Sequence, residues 1–447
     1  PPAGLSRPLH RLLRAPVRAS LARVCAGRLA VMSLFLFVAL PAILPVLGVV
    51  AWLLYDVTVR LVAWHRSRHI TAPPGAWCAH LGISSLPPHQ QLTGEKRHLG
   101  RLYHAERYGV FRQSNLPPGV AIVVTHAELV HAVFKALPDK PRVVYDRLRF
   151  MGEGVHNIFS LPTNDEWKRR RRAFQHSFNK NEVRKRHSLV EQHVAELSHI
   201  LRSRDGEVLD LDELFSALTV DVITHLGFDT DLGALRGEDC GLTKALQHAI
   251  SYDAMFMNYS PLIAALVMPN ERKQRVLRAR KVGSAAVSRI YDEFLARYDA
   301  ADASAKAAMD DLLMSRLLRF QRENAGVTRQ HVLAEMGTFI AAGYDTTAHS
   351  LYWTVYCLAR TPEALRRVVQ ELETAADGEW PFLDACIKEA MRLYPTAGGG
   401  VAKYVDQDIE LNGLKLPKGA LVTVSAYAVH RLKHNWGEDA NEFKPER

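Results

Sequence analysis

Ala342-Gly343-Tyr344-Asp345-Thr346-Thr347 lies midway along a proline-free run from Thr328 to Leu358, and no helix would choose that string for stability. Gly and β-branched Thr both rank low in helix propensity, and one interior Gly costs about 1 kcal/mol relative to Ala. The surrounding run is nonetheless helical in pattern. Val332, Leu333, Met336, Phe339, Ile340, Gly343, Thr347, Leu351 and Val355 recur at three- and four-residue spacing, which predicts one buried face. Gly343 opens a gap on that face, beside an acid and two hydroxyls. Such a gap suits a flat ligand stacked against the helix, with Asp345 and Thr346 placed to relay protons.

A second signal follows downstream. Glu389 and Arg392 stand at i and i+3 between Phe382 and Pro395, a spacing at which the two side chains meet on one helical face. Pro395 ends that helix. The closing Phe443-Lys444-Pro445-Glu446-Arg447 offers a further guanidinium to the same carboxylate. Upstream, Trp167 precedes Lys168-Arg169-Arg170-Arg171-Arg172, with Phe174 and Phe178 behind them.

On these residues the chain resembles the cytochrome P-450 family of haem-thiolate monooxygenases. The family's oxygen-activating helix carries A/G-G-x-D/E-T, matched by Ala342, Gly343, Asp345 and Thr346; its next core helix carries E-x-x-R, matched by Glu389 and Arg392. The terminal F-x-P-E-R is matched by Phe443, Pro445, Glu446 and Arg447. Each motif alone is weak, and their order and separation together make the resemblance specific. Trp167 and Arg171 match the family's W-x-x-x-R helix, which implies that they bind a haem propionate, a role suited to a planar, always-charged donor. Lys168, Arg169 and Arg170 read as a solvated basic face. Asp221-Val222-Ile223 through Leu226-Gly227-Phe228 is also similar to the family, so the likeness runs from residue 90 or so to 447. Lys403 stands where the family usually presents an Arg to a propionate; it pairs there as a point charge, or it is a surface strand lysine.

The resemblance implies a mainly α fold with a small β-sheet region, and a structural ion-pair network of Glu389, Arg392 and Arg447. It implies catalytic roles for Asp345 and Thr346, and haem contact for Ala342 and Gly343. The implied cofactor is heme b, with NADPH acting through a reductase, and the electron donor is an NADPH-dependent reductase or a ferredoxin-type protein. The implied reaction inserts one oxygen atom of O2 into a lipophilic substrate: a sterol, a fatty acid or a xenobiotic. A non-catalytic binding or scaffold relative is the alternative. The chain departs from the family in its cysteines. Cys25, Cys78, Cys240, Cys357 and Cys386 all lie outside an F-x-x-G-x-R-x-C-x-G loop, which in the family supplies the thiolate shortly after F-x-P-E-R. The iron ligand is therefore expected beyond Arg447, on a sequence cut at that end and also before Pro1.

The amino terminus carries the charge. Residues 1–28 hold six Arg and no acid, and residues 29–55 are uncharged and mainly apolar. As a helix the latter reaches about 40 Å, enough to cross a ~30 Å hydrocarbon core with a kink at Pro41 and Pro45. Residues 1–68 carry +8 of the total +10, so the basic balance belongs to a membrane flank and does not indicate nucleic acid. The expected organisation is a basic segment at 1–28, a transmembrane anchor at 29–55, a proline-rich hinge at 56–90 and a monooxygenase domain at 91–447. A transit peptide is the other reading of 1–28. The expected location is the endoplasmic reticulum membrane, single-pass, with a cytosolic domain; the mitochondrion is the alternative. An odd cysteine count without paired spacing fits a reducing compartment.

Three further segments are readable. Asp299 to Ala308 is a low-complexity stretch expected as a surface connector between helices. Asp408 to Pro417 reads as a hairpin about Asn412-Gly413. Phe256 to Met268 is apolar and interrupted, either a core loop or, by the resemblance, a cap over the substrate pocket that touches the bilayer.

Overall fold

A computed structural model describes residues 94–447 except 114–119, 138, 147, 150–153, 240, 252–267, 376–378 and 399, together with positions 54, 58, 62 and 65–70. The expected basic segment, nearly all of the expected span and the stretch at 71–75 lie outside the described residues, as does the interrupted apolar segment up to 267. Among the described residues no helix is long and apolar enough to cross a membrane. Residues 1–62 and 63–447 are separate compact units, and the second carries everything below.

The principal helices of this unit are α1 (Gly94–Tyr108), α2 (Ala127–Ala136), α3 (Asp165–Phe174), α4 (His187–Ser203), α5 (Leu211–Phe228), α6 (Leu242–Ile250), α7 (Asn270–Ala300), α8 (Leu313–Glu323), α9 (Arg329–Arg360), α10 (Pro362–Thr374) and α11 (Pro381–Leu393). Six short strands accompany them: β1 (Phe111–Gln113), β2 (Ala121–Val124), β3 (Val401–Tyr404), β4 (Ile409–Leu411), β5 (Leu414–Leu416) and β6 (Leu421–Val424). The unit is mostly helical, with a small sheet.

Helix α9 is the axis. It starts at Thr328, whose side chain and that of His331 cap each other's backbone N–H groups, and it stops where Pro362 opens α10. Its first half buries Val332, Met336, Ile340 and Tyr344 among Val220 and Phe228 of α5, Ile290 and Phe294 of α7, and Met314 and Leu317 of α8. Each such side chain contributes about 1.5–3 kcal/mol when removed from water. In the second half the buried face is not the expected one: Thr347, Leu351 and Val355 are exposed, while Ala348, Cys357 and Leu358 are buried. The reason is a change of neighbours. Ala348 packs with Leu197, Phe215 and Leu218 of α4 and α5, and Leu358 packs with Ala364, Val368, Phe382 and Cys386 of α10 and α11.

A four-stranded sheet runs in the order β1-β2-β6-β3, with β2 and β6 parallel and the outer pairs antiparallel. Both central strands are buried at every position, as expected of strands covered on two faces. β4 and β5 form a hairpin in which Leu411 opposes Leu414. Its turn residues Asn412 and Gly413 have φ of 47° and 80°, the left-handed pair that a two-residue hairpin requires. The stretch at 299–308 is more structured than a connector: α7 runs to Ala300, and a further helix spans Ala303–Met309 with the Asp302 side chain accepting the Ala305 N–H.

Gly400 shows where the sheet admits only glycine. Its φ is 77°, and an added Cβ would fall 1.4 Å from the Val424 carbonyl oxygen. Gly413 shares the positive φ but has open space around its missing Cβ. Gly400→Ala is therefore expected to lower the melting temperature and soluble yield sharply, while Gly413→Ala costs only the ~1–2 kcal/mol of a left-handed L-residue. Equal losses in parallel thermal melts would contradict the assignment.

Candidate functional site

Helix α9 presents Ala342, Thr346 and Thr347 as an exposed strip, and the Thr346 hydroxyl donates to the Ala342 carbonyl at 2.7 Å. Gly343 does not look onto that strip. A Cβ there would lie 2.7 Å from Ile223 Cγ1, so the missing side chain lets α5 approach α9. One residue on, the Thr219 hydroxyl of α5 donates to the Tyr344 carbonyl at 3.0 Å. The room expected beside Gly343 for a flat ligand is thus filled by Ile223, and the open surface is the neighbouring one.

Asp345 is half-buried, and burial pushes its carboxyl pKa up, with His349 opposing and Asp212 adding to the rise. His349 Nδ1 lies 2.7 Å from the Asp345 carbonyl oxygen and 3.6 Å from its carboxylate. Its Nε2 lies 3.5 Å from Asp212 Oδ1 on α5. The acid is therefore linked to an imidazole and a second acid, while its neighbour Thr346 bonds within the helix. Only the i, i+4 spacing of Asp345 and His349 could have pointed to this histidine.

A second group of side chains gathers round Trp167. Helix α3 opens with the Asn164 side chain accepting the Trp167 N–H at 2.9 Å. The Arg171 guanidinium stands 5.4 Å from the Trp167 ring centroid, and Lys140 Nζ stands 5.2 Å from it. Lys140 also donates to the carbonyls of Ile158 and Phe159 at 3.2 and 3.1 Å. Its pKa falls to about 8, through burial first and then the charges of Lys403 and Arg171. Lys403 on β3 is half-buried, and its own pKa is lowered by burial, with Asp139 opposing. Among the described residues neither Lys140 nor Arg171 forms an ion pair with a carboxylate. Two cations therefore flank one indole, and Lys403, whose Nζ lies 5.5 Å from the Phe134 ring centroid, is near enough to Lys140 to lower its pKa; the local excess of positive charge favours an added anion. Nothing local in the sequence marks Lys140.

Arg170 is not on a solvated face. It is 2% exposed and donates to Glu335 Oε1 of α9 at 2.7 Å and to the His156 carbonyl at 3.0 Å; Glu166 is its third partner. Glu335 Oε2 accepts the Ile158 N–H at 2.9 Å. Lys168 and Arg169 are exposed as expected.

At the far end of the chain, Glu389 and Arg392 are each 5% exposed. Arg392 donates to both Glu389 oxygens at 2.7 Å. Glu389 Oε1 also accepts from the Lys444 N–H at 3.0 Å and from Arg447 Nε at 3.1 Å. The remaining Arg392 protons reach the carbonyls of His430, Ala440 and Glu442. The structure thus brings Glu389, Arg392 and Arg447 together and fastens the last residues to α11.

A family model for cytochrome P-450 matches residues 87–447. The chain belongs to the cytochrome P-450 family. Similar proteins include cytochrome P-450 3A56 of Fundulus heteroclitus, 25% identical over 352 residues, or 73% of this chain and 68% of that one. Cytochrome P-450 3A31 of Mesocricetus auratus is 26% identical over 304 residues, 64% and 60% of the two chains. Cytochrome P-450 3A9 of Rattus norvegicus is 25% identical over 324 residues, 66% and 61%. The chain spans between 60% and 68% of the length of these relatives.

Membership makes haem iron the group to test against the site. The cluster of Lys140, Arg171, Lys403 and Trp167 has the donors and charge that haem propionates need. The described cysteines do not suit the iron. Cys357 and Cys386 are buried, and burial first among other causes pushes each thiol up to about 11, whereas a ligand must be a thiolate. Cys25, Cys78 and Cys240 lie outside the described residues.

Burial opposes ionisation of Glu389, but hydrogen bonds from Arg392, Lys444 and Arg447 outweigh it and hold the pKa below the usual value. The folded pKa being lower, the stabilisation is fully present above the unfolded value of about 4.3 and disappears as pH falls through the folded value. Glu389→Ala strands two guanidinium groups and is expected to cost about 3–5 kcal/mol at pH 7. In denaturant unfolding its deficit relative to wild type should narrow below pH 4 or so. A deficit that is small at pH 7, or unchanged at low pH, would contradict this.

Proposed function

We propose that the chain carries the oxygen-activating part of a haem-dependent monooxygenase that inserts one oxygen atom of O2 into a lipophilic substrate. The placement of Lys140 and Arg171 about Trp167, with Lys403 near Lys140, is the observation that most supports it. In this reading residues 1–28 flank a membrane anchor at 29–55, 56–90 is the hinge and 91–447 is the catalytic domain. The domain lies on the cytosolic side of the endoplasmic reticulum, and electrons come from an NADPH-dependent reductase or a ferredoxin-type donor. The substrate class is sterol, fatty acid or xenobiotic.

Bound haem supplies oxygen binding and activation. The protein's own part is positioning and proton supply. Lys140, Arg171 and Lys403 would neutralise the propionates, and the Trp167 indole would orient them. Ala342 leaves the α9 strip low enough for a flat macrocycle. The Thr346 hydroxyl, which donates to the Ala342 carbonyl at 2.7 Å, would be the proton donor on this face. Asp345, with its carboxyl pKa raised by burial, holds a proton at Oδ1 or Oδ2 more readily than an exposed aspartate. His349 and half-exposed Asp212 refill it from solvent. Gly343 acts at one remove, by seating α5 against the helix.

The test uses the full-length, haem-loaded protein. Reduced under carbon monoxide, it should give the Soret band of thiolate-bound iron, and Thr346→Ala should keep that band while diverting NADPH consumption from product to peroxide. A folded, haem-loaded sample without the band would favour a non-catalytic relative. Unaltered coupling in Thr346→Ala would remove the proton role from this residue.

A further inference from the structure

Away from this site, three carboxylates, Glu196, Asp231 and Glu238, gather round the Arg236 guanidinium in the turn after α5, and a fourth, Asp221, lies on α5 beside them. Asp221 on α5 is fully buried, and its oxygens accept the N–H groups of Ala234 at 2.8 Å and Leu235 at 3.0 Å. Asp231 accepts the Gly233 N–H at 3.0 Å with one oxygen and Arg236 at 3.1 Å with the other. Arg236 also pairs with Glu196 and Glu238, at 3.1 and 3.0 Å. Burial raises the Asp221 carboxyl pKa, with the Leu235 and Ala234 N–H groups and His193 opposing.

His193 on α4 is 4% exposed and faces the same group. One of its ring nitrogens, one Asp221 oxygen and one Asp231 oxygen lie within 4.8 Å of one another. His225, one turn along α5 from Asp221, has Nδ1 3.1 Å from His193 Nε2. At that contact one ring donates and the other accepts, so the tautomers of the two imidazoles are tied together. Metal-bound imidazoles and carboxylates need such outer partners, and here the backbone N–H groups and His225 provide them.

We propose that His193, Asp221 and Asp231 bind one divalent transition-metal ion, with Zn2+ favoured by the mixed imidazole and carboxylate donors. His225 orients His193, and water completes the coordination. Ligand atoms at ~2.0–2.1 Å from a tetrahedral Zn2+ stand about 3.4 Å apart, so the three side chains close by an ångström or so on binding. Asp231, 41% exposed, provides both the freedom to move and the entry path. The ion would clamp α4 to α5, the helix on which α9 rests at Gly343. The competing arrangement is His193 held between the two aspartates and His225, with no metal.

Full-length protein, haem-loaded and stripped with a chelator, is titrated with zinc chloride by calorimetry and then analysed for bound metal. One Zn2+ per chain is expected, with a rise in melting temperature. His193→Ala and Asp231→Asn should each weaken binding more than the ~10–100-fold that loss of an outer partner costs. His126→Ala, which removes one ring of the His126–His434 stack at 4.3 Å, should leave it unchanged. Asp231→Asn is nearly isosteric and half-exposed, and its haem content and circular dichroism report whether it has folded. Absence of stoichiometric zinc would overturn the site in favour of the metal-free arrangement. Binding that survives both substitutions would also overturn it, as an adventitious ion only.

Discussion

The buried pair of Arg170 and Glu335 is the interaction on which the site depends. Both side chains are almost wholly removed from solvent, at 2% and 3% exposure, so α3 and α9 cannot part without stranding a charge in a medium that cannot solvate it. The same two groups reach further. Glu335 holds the Ile158 N–H and Arg170 holds the His156 carbonyl, which fixes the loop whose Ile158 and Phe159 carbonyls receive Lys140. One ion pair therefore sets both the helix that carries Trp167 and Arg171 and the loop that anchors Lys140.

With that frame in place, like charges are forced together. Burial first, and then the charges of Lys403 and Arg171, lower the Lys140 pKa to about 8. Proteins keep such arrangements where an anion offsets them. On the other side of α9, the glycine contact with Ile223 fixes how far the helix is rotated, and so which residues face outward. Thr346 looks out while Asp345 turns toward His349 and Asp212, which puts the hydroxyl and the acid on different faces.

Elements governed by local rules are legible in the sequence. The α9 run announces itself through spacing and the absence of proline, the Asn412-Gly413 hairpin through its turn pair, and the Glu389–Arg392 contact through i, i+3 geometry. What escapes is set by distant partners. Arg170 looks like its solvated neighbours because Glu335 is 165 residues away, and nothing in a run of basic residues marks which one turns inward. Gly343 reads as space for a ligand because Ile223 cannot be seen opposite it. Thr347, Leu351 and Val355 continue the apolar spacing, but no neighbouring helix follows that stripe. Lys140 has meaning only once β3 and α3 are brought beside it.

The central claim is that Lys140, Arg171 and Lys403 form the anion-binding end of the haem site. An experimental structure of the full-length, haem-loaded protein tests it most directly. The account predicts haem carboxylate oxygens within hydrogen-bonding distance, about 2.7–3.2 Å, of nitrogens from these three side chains, with Trp167 alongside. Haem carboxylates directed elsewhere, with the three cations surrounded only by solvent, would contradict it.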